Sequence, residues 1–259
     1  MSFAAVIAGA GSGTRLGANM PKALVRLGGV PLLVHAIRGM NAAGIDDVVV
    51  TIPAGVEARA AFTDALAEGG VAARLVVGGS TRQGSVANGL AAVTSDYVLI
   101  HDAARALTPV SVISRVCRAL EAGHDAVVPA LAVTDTIKEV GPRQVRAAGS
   151  GGGSDGRADA GGVSGADGVV DVEPVVATLD RAKLRAMQTP QGFRTELVRR
   201  AHRAGWERGA NEASAAPDDA ALVEAMGEPV VLVEGSPEAM KVTTAWDLAV
   251  AHMLLTRGE

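Results

Sequence analysis

Two cations, Arg15 and Lys22, stand among closely spaced glycines and carry the clearest chemical signal in the chain. The stretch runs Gly9-Ala10-Gly11-Ser12-Gly13-Thr14-Arg15-Leu16-Gly17, and Pro21-Lys22 follows. Glycines let a ligand approach the main chain closely. Successive backbone N–H groups in such a loop can turn toward one anion and form a nest. A cation on either side would neutralise charge that grows in a phosphoryl-transfer transition state. The loop therefore suits a triphosphate. It is not the GxxxxGK[ST] phosphate loop, because no lysine falls at the required position. The dinucleotide pattern GxGxxG also fails, since Thr14 or Leu16 stands where its last glycine belongs.

Two further stretches carry polar chemistry. Gly78 to Leu90 reads GGSTRQGSVANGL. Paired glycines followed by Ser80, Arg82 and Ser85 suit a helix N-terminus that receives a polar ligand, with Ser85 one turn in and able to meet a base edge. A plain helix cap with a surface arginine explains the same residues equally well. His101 to Arg105 reads HDAAR. Asp102 there suits ribose or substrate hydroxyls or Mg²⁺, and Arg105 suits a phosphate, with a structural ion pair as the alternative.

These residues need a frame. Phe3 to Ala8 is an apolar run that reads as a buried strand. Strand patterns recur at Asp47 to Ile52, Val71 to Val77, Tyr97 to His101, Ala126 to Pro129 and Pro229 to Val233. Helical patterns lie between or after them at Pro31 to Ala43, Val56 to Leu66, Gly78 to Val93, Pro109 to Ala122, Glu196 to Trp206, Asp218 to Met226 and Ala245 to Leu255. The alternation predicts an α/β fold with a mainly parallel, Rossmann-like sheet flanked by helices. Ligands in such sheets bind beyond the carboxyl ends of the strands, where all three polar stretches fall. The regular pattern lapses after Lys138. The stretch 147–170 is rich in Gly, Ala, Ser and Asp, reads as a flexible excursion, and is expected to be poorly ordered and dispensable from Gly149 to Gly168. The expected organisation is one domain over 1–259 carrying an arm at 139–183.

Composition narrows the function. The chain has 259 residues, 48% of them hydrophobic but only 2% aromatic, so its core must be aliphatic. A net charge of −4 and few aromatics argue against nucleic-acid binding, through either phosphates or stacked bases. The single cysteine, Cys117, excludes a disulfide framework and reads as a small buried hydrophobe. No apolar run reaches membrane-spanning length, no metal-ligand cluster stands out, and the apolar N-terminus lacks a basic leader, so a cytoplasmic protein is expected.

The opening loop resembles the signature loop of sugar nucleotidyltransferases. With GGSTRQGSV, HDAAR, VTDTIK (133–138), TLDR (178–181), QTPQGF (188–193), DDAALVE (218–224) and EAMKVTTAWDL (238–248) following in order, nearly the whole chain is similar to the 2-C-methyl-D-erythritol 4-phosphate cytidylyltransferase family. The resemblance implies a nucleotide-diphospho-sugar transferase fold with a dimerisation arm. It implies transfer of CMP from CTP to 2-C-methyl-D-erythritol 4-phosphate, with release of pyrophosphate and with Mg²⁺ held mainly by the CTP phosphates. Position by position, Arg15 and Lys22 match the transition-state cations. Gly9, Ala10, Gly11 and Gly13 match the loop around the nucleotide, and Gly79, Ser80 and Ser85 match cytosine recognition. Asp102 and Ala103 match the ribose and sugar-phosphate region, with Arg105 beside them. Thr136, Arg181 and Thr189 match residues that an interlocking arm delivers to a twin subunit's site, and Lys241 matches the lysine that positions the sugar phosphate. Three departures stand out: Ala8-Gly9-Ala10-Gly11 for Pro-Ala-Ala-Gly, Ala106 for a proline, and Pro217 for a threonine. Pro217 offers neither a hydroxyl nor an N–H. Two other readings remain open, a ribitol 5-phosphate or other polyol-phosphate cytidylyltransferase and a non-catalytic nucleotide-binding regulator. The retained cations speak against the second.

Overall fold

The computed structural model describes residues 1–11, 20–147, 169–207, 209, 211 and 214–257. Contacts divide them into two units, 1–131 with 186–259 and 132–185. Arg15, Gly13 and Gly17, and positions 148–168 of the expected excursion, lie outside the described residues.

The first unit is built on strands β1 (Phe3–Ala8), β2 (Arg26–Leu27) and β3 (Val30–Pro31), helix α1 (Leu32–Ala42), β4 (Val48–Ile52), α2 (Val56–Gly69), β5 (Arg74–Val77), α3 (Arg82–Ala91), β6 (Tyr97–Asp102), α4 (Val110–Glu121) and β7 (Ala126–Ala132). The second unit holds β8 (Lys138–Val140), β9 (Gln144–Ala147), β10 (Val169–Val172) and β11 (Val175–Thr178). The chain then continues through β12 (Arg185–Met187), β13 (Gln191–Arg194), α5 (Thr195–Ala204), α6 (Asp219–Glu224), β14 (Val231–Glu234) and α7 (Ala245–Arg257).

The large sheet has the order β12-β7-β13-β6-β1-β4-β5, and β14 pairs with β7. β1 runs parallel to β4 and β6, β4 to β5, and β14 to β7, whereas β13 is antiparallel to β6 and β7. The mainly parallel sheet expected from the alternation is present, and the antiparallel course of β13 is what periodicity could not reveal. Successive side chains of β1 take opposite faces. Ala5 and Ile7 join α1, α2 and α4 in one aliphatic core, and Ala4 and Val6 join α3, α5 and α6 in the other. Cys117 packs half-buried at the edge of the first core, and burial pushes its thiol up to about 11.

In the second unit β8 pairs antiparallel with β11, and β9 with β10. Both pairings lie where the sequence pattern lapses. Ala147, Val169 and Val170, at the ends of the Gly-rich stretch, belong to these strands.

Candidate active site

β1 is flanked by β4, which follows it through α1, and by β6, which the chain reaches through α3 only after β5 on the far edge, so the strand order reverses at this point of the sheet. Such a switch point opens a crevice beyond the strand ends. Ala8 and Asp102 are partners in register there. A cavity of about 480 Å³ lies over them, bounded among the described residues by Ala8 to Gly11, Lys22, Gly79 to Arg82, Ser85, Asp102 to Ala104 and Lys241.

The glycine loop leaves β1 under tight packing. A Cβ on Gly9 would lie 2.9 Å from the Thr51 carbonyl oxygen and 3.2 Å from the Phe62 ring, while the Gly9 N–H donates to that same carbonyl at 3.0 Å. Gly9 is thus required by its approach to β4. The Lys22 N–H donates to the Gly11 carbonyl at 3.1 Å, which ties the far end of the loop to its start. Lys22 opens a short 3-10 helix, Lys22–Leu24, and reaches the cavity from there.

The Gly79–Thr81 segment forms a second wall. Thr81 caps α3 by accepting from the Gly84 N–H at 3.0 Å. Gly79 packs on the same turn, where a Cβ would lie 2.8 Å from the Gly84 carbonyl carbon. Ser85 lines the cavity, and its hydroxyl also braces the wall behind it. It accepts from the Gly79 N–H at 3.1 Å and lies 2.8 Å from the Thr81 carbonyl, to which it donates. Ser85 therefore shapes the wall that a base edge would meet, and a hydroxyl so placed can still accept a second hydrogen bond from such an edge.

Asp102 ends β6 and is nearly enclosed. Its Oδ1 accepts from Arg82 Nε at 3.1 Å, and its Oδ2 lies 2.7 Å from Lys241 Nζ. Burial presses this carboxyl up, but the Arg82 guanidinium and the Lys241 ammonium outweigh it and hold it well below the usual carboxylate range. Lys241 comes from the segment between β14 and α7, so the pairing joins opposite ends of the unit.

Behind the cavity, Thr189 is buried. Its Oγ1 accepts from the Asp102 N–H at 3.1 Å and lies 2.9 Å from His101 Nδ1. His101 Nε2 lies 3.3 Å from the Arg105 carbonyl, which can only accept, so Nε2 carries the proton and Nδ1 accepts from the Thr189 hydroxyl. Burial pushes His101 down to about 4, keeping it neutral at neutral pH. Thr189 is thus a support of the Asp102 backbone and not part of the cavity wall. Arg105 is likewise absent from the wall. Its guanidinium donates to the Ala239 carbonyl at 2.6 Å and the Met187 carbonyl at 3.2 Å, which pins two segments to the end of β6.

Arg82 is the residue that sequence reading left in the background. It bridges Asp102 and, through Nη1 at 2.9 Å, Oδ2 of Asp219. Asp219 is 1% exposed, and its Oδ1 accepts from His202 Nε2 at 3.0 Å. Burial works against the Arg82 charge, yet Asp219 and Asp102 raise its pKa further. Burial would likewise raise Asp219, and Arg82 and His202 hold it down. Arg82 already appeared in GGSTRQGSV, but its partner in α6 carries no local signal. Thr136 and Arg181 belong to the second unit. Thr136 is exposed there, and Arg181 donates to the Thr134 carbonyl.

The family model for 2-C-methyl-D-erythritol 4-phosphate cytidylyltransferase matches residues 3–150 and 155–257. The chain is 44% identical to the protein of that name from Rhodococcus jostii, over 98% of this chain and 95% of the relative. It is 44% identical to that from Nocardia farcinica, over 99% and 95%. The crystal structure of the Thermus thermophilus enzyme of the same name superposes with a TM-score of 0.71 at 32% identity, covering 99% of this chain and all of that one.

Proposed function

This chain belongs to the 2-C-methyl-D-erythritol 4-phosphate cytidylyltransferase family, and on that premise we infer that it transfers CMP from CTP to 2-C-methyl-D-erythritol 4-phosphate in isoprenoid precursor synthesis. The products are 4-diphosphocytidyl-2-C-methyl-D-erythritol and pyrophosphate. The observation that carries the reading at this site is the meeting of the glycine loop, Lys22, Asp102 and Lys241 around one cavity at the sheet's switch point.

The triphosphate lies along Gly9, Ala10 and Gly11, with Lys22 at its α-phosphate; Gly13 and Arg15, outside the described residues, keep the roles that the family resemblance implies. The base faces Gly79 and Ser80, whose backbone is held in shape by Ser85. Asp102 and Ala103 face the ribose and the acceptor sugar, and Lys241 receives the acceptor phosphate. A phosphate oxygen of the acceptor attacks the α-phosphorus, and the bond to the bridging oxygen breaks as pyrophosphate leaves. The negative charge spreads over the equatorial oxygens, where preorganised cations stabilise it most. Among the described lining residues the carboxylate is Asp102, and both of its oxygens are engaged by Arg82 and Lys241. That donor set fits a Mg²⁺ ion carried mainly by the CTP phosphates, where it would neutralise the leaving pyrophosphate.

The 132–185 unit is read as an arm that clasps a twin subunit, bringing Thr136 and Arg181 to the partner's acceptor site. Its exposed Val145, Val175 and Val176 support that reading, because apolar side chains left on a small ribbon favour a covering partner. The test is pyrophosphate release from CTP against a panel of acceptors that includes methylerythritol 4-phosphate and ribitol 5-phosphate. Turnover selective for the first is expected. Preference for ribitol 5-phosphate would reassign the acceptor, and CTP binding without turnover would make the chain a regulator.

A further inference from the structure

Lys241 and Asp102 stand 2.7 Å apart, and Asp102 borders the same cavity. For Lys241 to receive an acceptor phosphate, its ammonium must turn at least partly away from that carboxylate. Asp102 would then face a phosphate of its own sign inside a partly closed cavity, where like charges repel strongly. Arg82 holds the other oxygen of Asp102 at 3.1 Å and is itself fixed from behind by Asp219 at 2.9 Å. Asp219 is anchored in turn: its Oδ1 accepts from His202 at 3.0 Å, and its N–H donates to Gln191 Oε1 at 3.2 Å. Arg82 and Lys241 together balance Asp102 and Asp219, so the resting cluster is neutral. Once Lys241 is committed to a phosphate, Arg82 remains as the cation hydrogen-bonded to Asp102, while Arg105 acts on that carboxylate without a hydrogen bond to it, its guanidinium spent on the Ala239 and Met187 carbonyls.

We propose that Arg82 is a positioning residue for the acceptor: it screens Asp102 so that Lys241 can leave that carboxylate and bind the acceptor phosphate. The inference rests on the reading of Lys241 given above. It predicts a specific signature, because CTP binding at the glycine loop does not require Lys241 to leave Asp102. Loss of Arg82 should weaken the acceptor and spare CTP.

The test uses Asp219→Asn as a background, so that removing Arg82 does not strand a buried carboxylate. An asparagine there still offers an oxygen to Arg82. Asp219→Asn alone should leave both KM values within about twofold of wild type, because Arg82 keeps its charge beside Asp102. Arg82→Gln/Asp219→Asn should raise the acceptor KM by about tenfold, the scale of one charge-assisted contact, with the CTP KM within about twofold. Adding Asp102→Asn to that pair removes the repulsion, so the acceptor KM should return to the value of Asp102→Asn/Asp219→Asn. The inference is overturned if Arg82→Gln/Asp219→Asn leaves the acceptor KM unmoved or raises both KM values alike. It is equally overturned if the triple variant simply accumulates the separate losses, or if Asp219→Asn alone costs as much as the double variant, which would make the bridge purely structural. A wild-type chain that releases no pyrophosphate with any polyol phosphate would sink the functional reading and this inference with it. An active wild type with an unmoved double variant sinks the inference alone.

Discussion

Replacing Thr189 by valine tests whether this residue acts through Asp102 and not on substrate. Valine matches threonine in shape, so packing is retained and only the hydroxyl is lost. Two buried groups then lose their partner: the Asp102 N–H, now 3.1 Å from Oγ1, and His101 Nδ1, at 2.9 Å. Leaving one buried polar group unpaired costs about 1–3 kcal/mol, so the pair should cost about 3 kcal/mol after partial relaxation. At this chain length each kcal/mol moves Tm by about 2–4 °C, which places the Thr189→Val melting point about 6–12 °C below wild type. Thr189→Ser keeps both hydrogen bonds and should lose about 1 kcal/mol or less, the worth of one methyl. Differential scanning calorimetry at neutral pH reads both, and ¹⁵N imidazole shifts read whether His101 Nδ1 has lost its donor. A Thr189→Val protein melting within about 2 °C of wild type would refute the network, because the hydroxyl would then carry neither bond. A large rise in acceptor KM with unchanged Tm would return Thr189 to direct substrate contact.

His101 has a folded pKa of about 4, below its unfolded value of about 6.5, so unfolding takes up a proton between those limits. Urea-unfolding stability should therefore fall as pH drops from about 6.5 toward about 4, by about 3 kcal/mol in all, and a His101→Asn variant that keeps the same slope would refute the assignment. Asp102 and Asp219, held low in the fold, supply stability above the unfolded carboxylate value of about 4, and it is lost at still lower pH. Lys22→Ala and Arg15→Ala should each lower kcat by roughly 10²–10³-fold in a steady-state pyrophosphate assay, the scale for one preorganised electrostatic group; a change in KM alone would make the cation a uniform binder. If the proposed arm clasps a twin subunit, Lys22→Ala and Arg181→Ala homodimers should each be nearly inactive, and co-refolding equal amounts should restore about a quarter of wild-type activity through mixed dimers with one intact site. Confirmed heterodimers without recovered activity would place Arg181 in its own subunit's site.

Much of the frame was legible from local pattern. Alternating strands and helices, with all three polar stretches at strand ends, follow from side-chain periodicities of two and 3.6, which are written into neighbouring residues. Those rules placed β1, β4 and β6 and the flanking helices to within a few residues. They placed Gly9 at the start of the loop, beside the cavity, but gave only part of the reason for a glycine there. The sequence suggested ligand approach, and the fold adds that the Thr51 carbonyl of β4 leaves no room for a side chain. The same limit hid β8 to β11, whose short strands pair across a composition that carries no strand period. It also hid the hydrogen bonds that Ser85, Thr189 and Arg105 make within the protein, since a hydroxyl or guanidinium near a site shows nothing of its distant partners in sequence. Arg82 makes the contrast plainest. Its place at the start of α3 was readable from the glycines before it, but its pairing with Asp102 of β6 and Asp219 of α6 was not. Periodicity reports which face a residue takes within its own element, while a charge finds its partner only when the chain brings distant elements together.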